Sequence, residues 1–202
     1  GILDMENEIL SNFGFNFDTK SDNVSSQLLL PEKIPVKLNL DIGMSNLELD
    51  LTAVLVSALN LDFGMGEGTI QLGKGHSPTE CKNMVIGVGM GTLDIKNIGE
   101  FTCESMEFES KIGSLSLDFS DRIEQDLNIA ISVGLGSVSL QVPTNVNVKF
   151  YYSQNILADV DLKDMVLIED DTYRNESYEE NRPTVTFSAS VGMGSLIHDW
   201  KD

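Results

Sequence analysis

The sequence predicts an all-β fold: a single-domain β-solenoid, a right-handed parallel β-helix or a close variant, with about seven coils of about 22 residues each. Three observations carry this. Apolar residues alternate with polar or small ones over long stretches, as in Leu38, Leu40 and Ile42, or Val138, Leu140 and Val142, which is strand patterning with one buried face. A short signature recurs: a bulky apolar residue, a small one, any residue, then an apolar one. Its copies are nearly evenly spaced.

The signature reads Met44-Ser45-Asn46-Leu47, Met90-Gly91-Thr92-Leu93, Ile112-Gly113-Ser114-Leu115, Leu135-Gly136-Ser137-Val138 and Met193-Gly194-Ser195-Leu196. Met65-Gly66 fits with two extra residues before Ile70, and Leu157-Ala158-Asp159-Val160 is a weaker copy. Anchors at 44, 65, 90, 112, 135, 157 and 193 leave gaps of 21, 25, 22, 23, 22 and 36 residues. From Met44 to Leu47 is an odd step, which in an unbroken strand would turn the second apolar set outward. A bend at the small residue restores the inward direction. Gly66, Gly91, Gly113, Gly136 and Gly194 are therefore structural: they let the backbone turn a corner and let successive coils stack closely. Met44, Met65, Met90 and Met193, at one repeat position, are expected to form a ladder in the core. A β-sandwich would also show short alternating strands, but it gives no reason for the bend to recur at a fixed period.

Along the chain, residues 1–36 read as an N-terminal cap or linker and residues 37–202 as the repeat domain. Within the first segment, residues 3–13 predict a short helix covering the first coil, since solenoid ends need covering. Residues 121–126 read as a helical turn or plain loop. Residues 163–183 are polar and acidic, account for the long last gap, and read as a loop insertion on one face. They contain Asn175-Glu176-Ser177, a glycosylation pattern of low specificity.

Composition narrows the function. The 202 residues carry 32 acidic and 13 basic side chains, a net charge of −19. Such a surface repels phosphate backbones and anionic lipid, so nucleic-acid binding is excluded and solubility is the plain reading of the charge. No apolar run approaches the roughly 20 residues of a membrane span. The chain begins with Gly1, which predicts a segment cut from a longer protein, so membrane association would come only through a segment absent from this chain.

Cys81 lies nine residues before Met90 and Cys103 nine before Ile112, the same place in consecutive coils. Stacked strands are about 4.8 Å apart, within the Cα range of a disulfide, so the two are expected to be neighbours; whether they are bonded depends on the compartment. With His76 and His198 they make no zinc pattern.

Solenoids that act on polysaccharides need paired carboxylates on an exposed strand face. Asp159 with Asp161, and Glu48 with Asp50, alternate in that way, but in so acidic a chain they read as a solvated outer face. Arg174 and Arg182 sit among glutamates and read as surface ion pairs. There is no nucleophile elbow, P-loop or histidine-based triad, and Glu169, Asp170 and Asp171 lack the glycine-rich calcium nonapeptide. The expectation is no enzyme, no catalytic residue, no metal and no cofactor. For partner binding, Tyr173, Tyr178 and Trp200 are the candidates, because aromatic side chains are enriched at interfaces. The plainer roles are an anchor for the loop (Tyr178) and a cap on the terminal coil (Trp200).

The second half resembles the C-terminal domain of LiaF-like bacterial proteins, the cell-wall-active antibiotic response family. The carrying features are a strand with V-G-x-G at Val133–Gly136, Pro143 followed by Val146 and Val148, the loop "NESYEE" from Asn175, and a closing V-G-x-G from Val191. The first half, with "LDFGMGEGTIQL" and "VIGVGMGTLDI", is similar to toast-rack and putative-adhesin domains. The resemblance implies a stacked β-fold and a bacterial cell-envelope setting, with an accessory role in envelope-stress sensing. The reading is thus a non-enzymatic interaction domain whose partner is a sensor kinase or another envelope protein. The alternative is an extracellular adhesin or carbohydrate-binding module, and a polysaccharide-active enzyme comes third. The side of the membrane and the oligomeric state are left open.

Overall fold

A computed structural model describes residues 2–6, 15–16, 35–73, 81–101, 103–119, 122–152 and 156–201, the first two segments by backbone pairing alone. The repeating unit is one long strand. β3 (Val36–Asp50), β4 (Val56–Gln71), β5 (Cys81–Lys96), β6 (Cys103–Asp118) and β7 (Leu127–Pro143) follow one another, each parallel to the next.

These strands are not straight. At about 3.3 Å per residue a flat strand of this length would span about 50 Å. The five residues that lead from β3 to β4 reach at most about 20 Å. The N–H of Val36 nevertheless donates to the carbonyl of Leu55 at 2.8 Å, so the chain has returned to its starting point. Each strand is therefore folded at its middle into two arms that face each other across the core, and each coil is a strand plus a short return.

The corner lies at the signature. Gly66, Gly91, Gly113, Gly136 and Gly194 have φ between 139° and 146°, a region that L side chains avoid. Space forbids a side chain as well: a Cβ on Gly113 would lie 1.9 Å from the carbonyl oxygen of Gly91, and one on Gly136 only 1.7 Å from that of Gly113. The first coil has Ser45 at this position. The strand beneath it, β1 (Ile2–Glu6), meets β3 only over Lys37–Asp41, so among the described residues no strand lies under the corner there.

The methionines correct one expectation. Met44, Met65, Met90 and Met193 form a ladder, but on the outside, with exposures of 77, 38, 43 and 50%. The apex residue of a sharp corner has no room on the concave side, where the Phe63 ring already approaches Gly66. The core is filled instead by residues two positions earlier, such as Phe63 and Val88, and by the second arm, including Leu93, Leu115 and Val138. The predicted bend stands; the anchor it was read from points to solvent.

The end of the stack is out of sequence order. β8 (Asn147–Tyr152) and β9 (Ala158–Leu162) are the two arms of the outermost coil. β10 (Met165–Glu169) and β11 (Thr172–Asn175) form a hairpin, and β11 adds to the edge of β8. The last strand, β12 (Thr184–Lys201), then inserts between β7 and that coil. It pairs in parallel with β7 along its whole length, and on its other side with β8 and β9. Leu157, the weak sixth anchor, leads only into the five-residue β9.

Two further readings change. Residues 2–6 form β1, a strand that pairs with β3 and with β2 (Phe15–Asn16), rather than the start of a helix; residues 7–13 of that prediction lie outside the described residues. The segment 163–183 carries the β10–β11 hairpin and is no loop throughout. Residues 122–126 are irregular. Cys81 and Cys103 are register partners with Cα atoms 4.4 Å apart, joined as a disulfide.

Candidate interaction surfaces

The insertion is ordered by two buried asparagines. Asn147 donates from its amide to the carbonyls of Glu179 (2.6 Å) and Arg182 (3.1 Å), and its Oδ1 accepts the N–H of Glu179 at 2.9 Å. Asn175 accepts the Val148 N–H at 2.9 Å and donates to Ser177 Oγ at 3.0 Å. Its amide is buried, which makes the glycosylation pattern a structural element. Burial without partners would cost each amide several hydrogen bonds, so these contacts fix the loop's path.

From this base the β10–β11 hairpin projects. Asp171, with φ 58°, makes the turn, and the register slips between Leu167 and Glu169. A bulge re-aims the side chains at its position. Here Leu167 and Ile168 are 60% and 42% exposed, beside the exposed acids Glu169, Asp170 and Asp171. Sequence reasoning fixed on the aromatic residues of this segment and passed over this apolar pair, because hairpin and bulge were not foreseen.

The three predicted aromatics are brought together only in part. Tyr173 lies in β11, half-buried against the core, in register with Phe150. The Tyr178 ring is half-buried, with Lys149 Nζ at 5.4 Å and Arg174 Cζ at 5.3 Å from its centroid. It anchors the loop by cation–π contacts. Trp200 lies on the other arm, where its Nε1–H donates to the Lys163 carbonyl at 3.1 Å. Arg182 pairs with Glu179 at 2.6 Å, as expected of it.

Trp200 closes a row of rings through the end of the core. Phe150 stacks on Phe187 at 4.7 Å, His198 meets Phe150 edge-on at 5.5 Å, and Trp200 meets His198 edge-on at 4.6 Å. His198 occupies a position where its neighbours in the stack are Leu140 and Leu162. It is buried and neither ring nitrogen has a hydrogen-bond partner. Burial pulls its pKa down to about 4, against the smaller opposing pull of Asp199 and the Lys163 backbone. It is a neutral core side chain. His76 lies outside the described residues.

The acid pairs sit in no enclosed site. Asp50 accepts the N–H and hydroxyl of Thr52, at 3.0 and 2.7 Å, which hold its pKa down and use it as a turn former. Asp159 and Asp161 are exposed on β9. A shallow depression of about 560 Å³ lies on the outer face of the first arm, where Gly87 and Gly89 leave the sheet bare between Asp41, Asp62, Glu109 and Lys111. A hydrogen-bonded asparagine row, Asn39–Asn60–Asn83, runs across the same face. Among the described residues no group of histidine, cysteine or carboxylate side chains is placed to hold a metal, and no helix is long and apolar enough to cross a membrane.

Residues 89–197 match the family model for the C-terminal domain of LiaF, the cell wall-active antibiotics response, and residues 1–96 match that for the N-terminal domain of toast_rack, DUF2154. Neither is a family of known enzymes. No curated protein sequence matches. A crystal structure from Clostridium sporogenes ATCC 15579, of a "putative cell adhesion protein", is similar over 87% of this chain and 97% of that one, with a TM-score of 0.58 at 12% identity. At that identity the likeness concerns the fold.

Proposed function

The chain belongs to the LiaF-like C-terminal family, and from that premise we propose that it is a non-enzymatic recognition domain of a bacterial cell-envelope protein, acting as an accessory regulator of envelope-stress sensing. The observation that carries the reading is the β10–β11 hairpin. It is a departure from the parallel stack, insertions in repeat proteins commonly form the binding face, and its tip exposes Leu167 and Ile168 next to three acids. An apolar pair gives affinity by burial and flanking acids select a basic rim on the partner. The partner class that fits is an envelope sensor kinase with a basic, apolar-centred surface.

The test is capture from envelope extract, with the purified chain and its Leu167→Lys/Ile168→Lys variant as baits and mass spectrometry as readout. A sensor kinase retained by the parent chain and released by the variant supports the reading. Equal retention by both baits, or no kinase on either, overturns it. The adhesin-like fold keeps a second reading in view, glycan binding at the asparagine row, and a glycan array that responds to Asn60→Ala would favour it.

A further inference from the structure

The outer corner carries an apolar row that the fold does not require. At successive coils the apex residues are Met44, Met65, Met90, Ile112, Leu135 and Met193, all 38% or more exposed. Leu157, 58% exposed and just before the pair Ala158–Gly194, continues the row onto the last coil. Seven rungs at about 4.8 Å make a ridge about 29 Å long. A solvent-facing apex tolerates any side chain, so an apolar residue on every rung calls for another cause.

The surroundings of the ridge point the same way. The columns on either side of it consist of glycine, serine and alanine, with two exceptions, Lys111 and the apolar Ile156 on the last coil. In a chain of net charge −19, the whole strip holds the single charge of Lys111. Charge depletion of this kind marks the centre of a protein interface. The column from Gly66 to Gly194 is unbroken glycine, so beside the ridge runs a valley floored by bare backbone. Its far wall is the column Asn46, Glu67, Thr92, Ser114, Ser137, Ser195 and Asp159, low and uncharged over the middle coils and acidic at the second and last coils.

We infer that the corner is a self-association surface: two copies pack antiparallel, each ridge lying in the other's glycine valley. The exposed ridge amounts to roughly 600 Å² per copy, the top of the range for an apolar patch on a monomer. Mutual burial removes roughly 1,200 Å² from water, the lower bound for a specific interface. A two-fold axis through the middle rung makes the contact isologous and closed, so it yields dimers and no fibres. Ile112 then lies beside Ile112 of the second copy, and Met44 lies near the opposite end of the second copy's ridge.

Sedimentation equilibrium of the whole chain across the micromolar range reads this directly. A monomer–dimer equilibrium is expected, abolished by Met90→Lys or Leu135→Lys with an unchanged circular dichroism spectrum, and unaffected by Leu167→Lys on the hairpin. Spin labels on Ile112→Cys should give a short intermolecular distance, and labels on Met44→Cys one of roughly 29 Å, twice three rung spacings. A chain that stays monomeric throughout overturns the inference, as does a dimer indifferent to the lysines. Short distances from both labels overturn the antiparallel arrangement. Binding of monomers to phosphatidylcholine vesicles through the same methionines would assign the ridge to lipid instead.

Discussion

The indole N–H of Trp200, near the end of β12, donates to the backbone carbonyl of Lys163, in the turn between β9 and β10. The last strand thereby clasps the outermost coil, which precedes it in sequence but lies outside it in space. A salt bridge between Lys163 and Asp199, 2.8 Å long and exposed, spans the same junction and adds little, as exposed pairs do. Trp200→Phe keeps the ring and loses the hydrogen bond, at a cost of about 1 kcal/mol. Trp200→Ala also loses the contact with His198 and should cost about 3 kcal/mol. Urea unfolding followed by far-ultraviolet circular dichroism measures both, and an unchanged Phe variant would mean the bond is not made in solution.

His198 should make the fold acid-sensitive. Its pKa is about 4 in the folded chain, against the ordinary histidine value of 6.5. Between those values the unfolded chain binds more protons, so stability falls as pH drops from about 6.5 to about 4 and the loss is complete below that. The window corresponds to about 3 kcal/mol. His198→Leu, matching Leu140 and Leu162 on either side, should flatten this part of the Tm–pH curve relative to the parent chain. Parallel curves for the two would refute a neutral, buried imidazole.

Gly113→Ala and Gly43→Ala test the corner. At Gly113 the backbone is at φ 146° and a Cβ would lie 1.9 Å from the Gly91 oxygen, whereas around Gly43 nothing lies within 4 Å. The first substitution combines steric overlap with a conformation alanine avoids, and should cost more than about 4 kcal/mol. The second should change stability by less than about 1 kcal/mol. Similar melting temperatures for the two variants would contradict the stacked corner.

Reduction should weaken the chain. The disulfide between Cys81 and Cys103 closes a loop of sequence separation 22. The chain-entropy relation then gives about 3 kcal/mol of stabilisation. A Cys81→Ser/Cys103→Ser variant, or the parent chain in dithiothreitol, should lose that amount in urea titrations, and the same midpoint with and without reductant would count against the bond.

Much of this architecture is legible in residue spacing. The even gaps between anchors gave the coils, the small residues after them gave the corners, and equal offsets from Met90 and Ile112 placed Cys81 beside Cys103. The candidate surfaces were less legible. Leu167 and Ile168 look like any apolar pair in an acidic segment until the turn at Asp171 and the bulge beside them turn both outward. The Asn175 pattern looks like a modification signal until the side chain is seen buried on Val148.

By itself the sequence determined the strand period, the bend and the stacking. These are local: alternation follows from side chains pointing to opposite faces, and a glycine column follows from the close approach of one backbone to the next. Only the tertiary structure decided the facing of the corner methionines and the order of the last coils. Alternation cannot say which face an apex residue takes, because the bend itself resets the phase and leaves room only on the convex side. Nor does spacing say that β12 lies between β7 and the coil made before it. That order depends on contacts far apart in sequence: Asn147 with Glu179, Asp126 with Thr184, and Lys163 with Trp200.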